Sequence, residues 1–569
     1  MRKSSAIQVF IFLGILIALN ILAHARLGDI PLYQRIDLTE EKRFTLTDGT
    51  RALLRNLDEV VYVQVLLKGK MPASFQRLQN GTREILEDFR AQSAYVEFSF
   101  EDVTDGDPEE VNQRTQELAE VGVVPRQINT RESTEARQQL LYPFALVNYK
   151  GRSLAVNLLE NDNPTLDDEI DLNNSVALLE YKLVNAIDKL QQSFKDNIVF
   201  TTGHGELEPI ETADLEQSLR QYYNTGRINL DSVVYLRQDI DALIVAKPRQ
   251  PFSEKDKFKI DQYVMNGGKV IWLIDPLRVD LDSLSGRKDY VPLPYELELD
   301  DLLFRYGIRL EPNLVLDLQN TRIPLATGMT GQGPQLELFP YPYHVVATSN
   351  SNHPVIKGLG PVNLLYPSTV DTAVRTKLPL DRTVLLRSTE NTRLQYAPVR
   401  MNFEFLRYGL QPDKFTAGEQ PLALLLEGSF ASLYENRLTE QMRAGLSELG
   451  QEYKSQSPTS AMMVVADGDI ARNEINRQDQ RVRPLGYNPF EKYVFANKDF
   501  LLNAIEYMLD DIGIIEARGK EVKLRLLNKT KAQQEKTRWQ LINIAIPLLF
   551  LGVFGGIYTW WRRRTYTRA

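Results

Sequence analysis

The run Thr201-Thr202-Gly203-His204-Gly205-Glu206 places a base, an acid and two conformationally free glycines within one turn. It follows an apolar, β-type segment that begins at Asn197. Two further carboxylates close similar segments, Asp275 after VIWLI and Asp467 after AMMVVA. Ligands of parallel sheets bind beyond the carboxyl ends of the strands. His204, Glu206, Asp275 and Asp467 therefore form the candidate ligand crevice, with acid–base work, metal ligation or plain recognition as its uses. Against these stands a plainer reading, which the sequence favours: the glycines permit a tight turn and the polar side chains satisfy backbone groups.

The remaining chemical inventory is thin. The 569 residues include no cysteine, which excludes disulfides, thiolate zinc sites, iron–sulfur clusters and a cysteine nucleophile. The histidines are His24, His204, His344 and His353. There is no G-x-x-x-x-G-K-[ST] phosphate loop, and 328–333 (GMTGQG) does not match a dinucleotide fingerprint. No H-E-x-x-H or G-x-S-x-G site is present, and no serine–lysine pair stands out as a nucleophile. The acidic run Asp167-Asp168-Glu169-Asp171 lacks the spaced ligands and glycine of a calcium loop and reads as a solvated first helical turn. No catalytic, cofactor-binding or metal-ligating residue is accordingly expected. A net charge of −8 leaves no basic footprint for nucleic acid.

The elements that must position these residues follow from periodicity. Thr47-Asp48 caps a helix running to Leu57, and Val60–Leu67 is a β-branched strand. Helical spacing recurs over 73–89 and 107–120, and 95–100 alternates like a strand. Strands at 144–149 and 153–158 flank Lys150-Gly151 as a hairpin, and 171–192 is a long helix presenting Val176, Leu179, Leu183, Val184, Ile187 and Leu190. From Asn197 strands and helices alternate: strands at 232–236, 242–246 and 270–274, a Ser253-capped helix ending at Asn266-Gly267-Gly268, a helix over 296–306, and later 461–466 and 498–509. That pattern predicts a parallel sheet covered on both faces. Residues 320–440, rich in proline and glycine, read as a β-rich insertion or a β-rich layer of their own.

Both ends are apolar. Residues 4–25 carry no charge, and neither do 539–561, whose edges hold Trp539, Tyr558, Trp560 and Trp561. About 20 helical residues cross a hydrocarbon core, and aromatic belts mark its interfaces. Arg2 and Lys3 before the first run, and Arg562, Arg563, Arg564 and Arg568 after the second, put both termini on the cytoplasmic side. The expected arrangement is a transmembrane helix at 4–25, a periplasmic α/β domain at 26–195, a second at 196–516, a charged stalk at 517–538, a transmembrane helix at 539–561 and a basic cytoplasmic tail at 562–569. Ala23-His24-Ala25 leaves a second outcome open, cleavage after Ala25 as a signal peptide, though the run is longer than an ordinary signal core.

Asp37-Leu38-Thr39-Glu40-Glu41-Lys42-Arg43-Phe44-Thr45-Leu46 resembles the entry motif of ABC-transporter auxiliary proteins of the gliding-motility type, the GldG family. Gly203-His204-Gly205-Glu206, Asn266-Gly267-Gly268-Lys269-Val270, Asp467-Gly468-Asp469 and the arginine-tailed final anchor follow in the same order as in that family. The resemblance spans essentially the whole chain. It implies an inner-membrane subunit working with a separate ABC ATPase and a separate permease. It further implies an outer region with a thioredoxin-like α/β domain and one similar to class I glutamine amidotransferases. That second fold normally carries a nucleophilic cysteine, so amidotransferase activity is not implied here. The expected function is non-enzymatic support of gliding motility or linked protein secretion, with a periplasmic protein or cell-wall partner. The alternatives are an anchored module binding cell-wall glycan or peptide, and a metal-assisted envelope hydrolase centred on His204.

Overall fold

A computed structural model describes residues 45–132, 135–159, 168–192, 194–284, 287–330, 333–347, 353–448, 452–476, 479–510, 512–519 and 529–566, together with 11–12, 14–15, 26–27 and 30–31. The first apolar run, apart from helical 11–12 and 14–15, lies outside the described residues, as does the entry motif before Thr45. The chain divides into two units, Met1–Glu521 and Val522–Ala569.

In the first unit Thr47 caps α1 (Asp48–Arg55), its hydroxyl accepting the Thr50 amide. The elements β1 (Val61–Val65), α2 (Ala73–Gln92), β2 (Val96–Phe100) and α3 (Pro108–Glu120) follow. A hairpin of β3 (Arg126–Glu132) and β4 (Glu135–Leu141) comes next, then β5 (Phe144–Tyr149), β6 (Arg152–Asn157) and the long α4 (Asp168–Gln191). The sheet order is β2-β1-β5-β6. β1 is parallel to β2 and antiparallel to β5. Lys150 and Gly151 both take positive φ, 49° and 73°, as a two-residue turn between right-twisted strands requires. Val61, Val63 and Val65 alternate into a core filled from α2 by Phe75, Leu78 and Phe89 and from α4 by Leu179, Leu183, Val184 and Ile187. Ile514, Ile515 and Ala517 return to this same core from the far end of the unit. The charged stalk expected from Ala517 therefore does not begin there: Ala517 is fully buried and Arg518 nearly so, because the segment docks on α4.

The second half runs β7 (Asn197–Thr202), α5 (Ala213–Arg220), β8 (Asn224–Asn229), β9 (Ala242–Ala246), α6 (Glu254–Met265), β10 (Lys269–Leu273), α7 (Asp300–Arg305) and β11 (Asn313–Asp317). Beyond it lie β12 (Asn320–Thr330), β13 (Gly333–Ala347), β14 (Val362–Leu365), β15 (Leu380–Arg387), β16 (Thr392–Tyr396), β17 (Pro421–Ala431), α8 (Glu440–Glu448), β18 (Gln456–Val465) and α9 (Asn497–Leu509). Seven strands form one sheet in the order β8-β7-β9-β10-β18-β17-β15. Pairings from β8 to β18 are parallel, but β17 runs antiparallel to both β18 and β15. The all-parallel expectation is thus corrected to a mixed sheet. Residues 320–440 are no separate layer either, since β15 and β17 complete the main sheet. The misreading has a physical source: LALLL in β17 is buried on both faces, like the parallel strands, so composition cannot report its direction. What stands apart is the long hairpin β12–β13, extended by β14.

Alternate residues of each central strand feed two cores. Ile244, Ile271, Leu273 and Met463 meet α5 and α9 on one face. Leu243, Val245, Trp272 and Val464 meet α6 and α7 on the other. The strand expected at 232–236 is a short 3-10 turn and loop; the edge strand is the preceding Asn224–Asn229. Its polar sequence, NTGRIN, suits an edge whose outer side faces water.

The second unit is α10 (Lys529–Tyr566). Its segment Glu535–Thr565, 31 residues with hydropathy 2.1 and no part buried, is long and apolar enough to cross a membrane. Pro547 lies inside it.

Candidate functional site

The strand order reverses between β7 and β9, where a sheet of this kind opens its crevice at the carboxyl ends. All four candidate residues stand at carboxyl ends, and all four are buried. They do not form one site. His204 and Glu206 belong to one group, Asp275 and Asp467 to another, and among the described residues no hydrogen bond or ion pair joins the two groups.

His204 sits in the turn after β7, which Gly203 (φ 112°) and Gly205 (φ 73°) make possible. Its carbonyl accepts the amides of Arg249 and Gln250, both at 2.8 Å, so the turn is laced to the loop after β9. Its ring stacks on Phe252 with centroids 3.8 Å apart. Nε2 lies 3.4 Å from Asp256 at the start of α6, and Nδ1 3.6 Å from Glu206. Burial disfavours the imidazolium, but Glu206 and Asp256 outweigh it and raise the pKa above the usual histidine value. Burial likewise opposes ionisation of Glu206 and Asp256; His204 on the one and Lys259 with Ser253 on the other hold both below the ordinary carboxylate range. The histidine ring clamps the β7 turn to α6, and its side chain and that of Glu206 are buried in the crevice.

The second group surrounds a residue that motif reading passed over. Lys247 ends the apolar strand β9 at φ 53°, an uncommon conformation for a side-chain-bearing residue. It is 3% exposed. Its ammonium lies 3.0 Å from Asp275 and is hydrogen-bonded to Asp469. Asp275 also accepts the Gly468 amide. Asp467 accepts the Leu365 and Asp469 amides, both at 2.8 Å. Carboxylate oxygens of Asp275, Asp467 and Asp469 lie within 4.8 Å of one another, a separation a divalent cation could bridge. The chain supplies its own cation instead: Lys247 takes the central place, and both oxygens of Asp467 are engaged by amides. Burial, followed by Asp275 and Asp469, pushes Asp467 well above the ordinary carboxylate range. Burial also raises Asp275 despite Lys247. Asp469 is the exception: Lys247 and Arg472 overcome its burial and hold it below the ordinary carboxylate range. The same partners hold Lys247 above its usual value.

The sequence reading missed Lys247, Asp256 and Asp469. A lysine closing a five-residue apolar strand was the available signal, since such a charge is buried only when paired. Of the other histidines, His344 on β13 is buried between Tyr341 and Tyr366, and burial drives its pKa down to about 3.

The second half of the chain finds its likeness among transport proteins. Residues 195–504 match a family described as an ABC-type uncharacterized transport system, and residues 40–148 match a domain of unknown function. An uncharacterized protein of Borreliella burgdorferi is 20% identical over 420 residues, covering 72% of this chain and 76% of its own. Among solved structures, the mmIFT52 N-terminal domain aligns with 55% of this chain and 96% of its own at a TM-score of 0.29 and 12% identity. An exo-β-1,4-mannosidase from Opitutaceae bacterium strain TAV5 aligns with 70% of this chain and 46% of its own at 0.19 and 11% identity. At such scores neither likeness bears on fold or function. The family match covers more than half of the sequence, and the chain belongs to the ABC-type uncharacterized transport system family.

Proposed function

We propose that the chain is a non-enzymatic, membrane-anchored auxiliary subunit of an ABC-type transport complex, with its bulk in the periplasm and both termini in the cytoplasm. The observation that carries this reading is the family match over 195–504 combined with the apolar helix Glu535–Thr565. On this reading the helix is held in the inner membrane by Trp539, Trp560 and Trp561 at its edges and by the arginines after it. The apolar run at 4–25 supplies the second anchor. A separate ATPase and a separate permease supply energy and passage, since the chain lacks a phosphate loop. Gliding motility or linked protein secretion is the process it serves, as the ordered motifs from Asp37 to the final anchor suggest.

The interior of the second half supports a coupling role over bond-breaking. Its crevice mouth holds a His204–Phe252 stack, and its acidic triad holds Lys247. A hydrolase needs a reachable nucleophile or metal at that place. The order β2-β1-β5-β6, with β1 and β2 parallel and a hairpin following, supports a thioredoxin-like reading of the first half. The amidotransferase-like reading of the second half rests on the five parallel strands and the carboxyl-end turns.

Affinity purification of the tagged full chain in mild detergent tests the proposal. An ABC ATPase and a multi-span permease are expected to copurify in fixed ratio. Recovery of the chain alone under conditions that preserve other membrane complexes refutes it.

A further inference from the structure

The core built on α4 and the core between the main sheet and α9 are separate, and Tyr507 of α9 packs against both. Polar contacts join the two halves beside it. The Tyr181 hydroxyl of α4 donates to the Glu506 carboxylate of α9, and the Arg518 guanidinium lies 5.4 Å from the centre of the Tyr181 ring. Two turns farther along α4 the Lys189 ammonium lies 3.8 Å from Asp196 and 4.7 Å from the ring centre of Tyr223, a residue of the second core. The Tyr223 hydroxyl is buried with no hydrogen-bond partner among the described residues. A polar seam between two cores, with a donor left over, leaves relative motion of the halves as the default.

The seam brings carboxyl groups together from both sides: Asp188 of α4, Asp196 of the connection, Glu506 of α9 and Asp510 just after it. Nearby cations are committed elsewhere, Arg152 to the Leu190 and Gln192 carbonyls and Lys195 to those of Arg220 and Gln221. Asp510 accepts the amides of Ile512, Gly513 and Ile515. Burial pushes Glu506 up to about 8, with Arg518 opposing and Asp510 adding to the rise. Burial pushes Asp188 up to about 6, opposed by Lys189 and Gln192 and helped by Asp510 and Asp196.

We propose that this seam is a proton-dependent latch: with Glu506 uncharged its contact with Tyr181 holds the two halves together, and loss of the proton lets them part. A carboxyl group freed into water titrates near 4.3, so the closed seam holds a proton that the open one releases. Closure therefore weakens as pH rises from about 4.3 to about 8, and is level above that. Asp188 acts in the same sense at lower pH. The latch needs neither membrane nor transport partner, so its failure leaves the proposed function standing, and the converse holds.

Single-molecule energy transfer on the full chain in detergent tests it. Dyes go on Val121→Cys and Tyr408→Cys, sites 56% and 79% exposed on different halves of a chain without other cysteines. Between about pH 6 and about pH 8 the ratio of open to closed molecules is expected to rise at least about tenfold, since the closed state holds up to one proton more. Glu506→Gln, an uncharged isostere, is expected to stay closed at both values, whereas Asp188→Asn keeps the parent's response. Unfolding midpoints at the lower pH, matched to the parent's, show that the variants fold. A single unchanged population in the parent at both values, or a folded Glu506→Gln that opens with pH as the parent does, would overturn the inference.

Discussion

Replacing Lys247 by methionine is the sharpest test of how the carboxyl end of the main sheet is held. Methionine nearly matches the lysine stem in volume, so the change deletes the ammonium with little cavity. Two carboxyl groups, Asp275 at 3.0 Å and Asp469, then lose their shared counter-ion inside protein where Lys247 was 3% exposed. A unit pair about 4 Å apart interacts by about 4 kcal/mol at an effective dielectric constant of about 20. Removing one partner of a buried pair costs about 3–5 kcal/mol. Global stabilities of domains run to about 5–15 kcal/mol, so Lys247→Met is expected to remove a large fraction. Arg472, 43% exposed, still faces Asp469 and trims the loss toward the lower figure. Urea unfolding of the full chain in detergent reads it, followed by Trp272, which is wholly buried on β10, whereas the remaining tryptophans lie in α10. The pH dependence has a definite sign. Without the ammonium the folded-state pKa of Asp469 loses its main lowering influence and that of Asp275, already raised by burial, climbs further, so the folded protein binds more protons and stability rises as pH falls. Adding Asp469→Asn to Lys247→Met is expected to recover part of the loss. A single variant within about 1 kcal/mol of the parent, or a double variant worse than the single, would refute the charge-pair account.

His204, raised above the ordinary histidine value, contributes stability that is full below about pH 6.5 and lost as pH rises through its folded value; Glu206 and Asp256, lowered, contribute stability lost as pH falls through theirs. In denaturant titrations across pH, His204→Gln is expected to abolish the alkaline decline. Gly468→Ala places a methyl group 2.8 Å from the Lys247 side chain and 3.1 Å from its Cα, so a loss of about 1–3 kcal/mol is expected in the same assay. Because the chain has no cysteine, single replacements report topology cleanly: in intact cells a membrane-impermeant maleimide should label Tyr408→Cys, at a site 79% exposed, and spare Thr565→Cys. The reverse labelling would put the bulk of the chain in the cytoplasm.

What could be read beforehand follows from where the physics is local. Caps and turns depend on a few neighbours, and Thr47, Ser253, Lys150-Gly151 and Asn266-Gly267 do what their side chains and permitted φ values suggest. The stripe from Leu179 to Leu190 on α4 faces the core for the same reason. Direction and pairing of strands are long-range properties. β17 presents the same doubly buried run whether it lies parallel or antiparallel, and β8, exposed at the edge, lacks the apolar content that marks a strand.

The candidate residues show the same division at the level of chemistry. Topology alone carried His204, Glu206, Asp275 and Asp467 to the carboxyl ends, because strand ends are visible in sequence. Which groups then meet depends on residues that end or follow other strands. His204 meets Asp256 from α6, the helix after the neighbouring strand β9, and Asp275 meets Lys247 from the adjacent strand. A carboxylate cluster read without its lysine looks like a metal site; read with it, the same oxygens form a buried knot tying β9, β10 and β18 together. The amount of acid at a strand end is therefore a poor guide to chemistry until the nearest buried cation is known. In this sheet that cation belongs to the chain itself, so the three carboxyl groups at the carboxyl end hold strands together where their types alone suggest a metal.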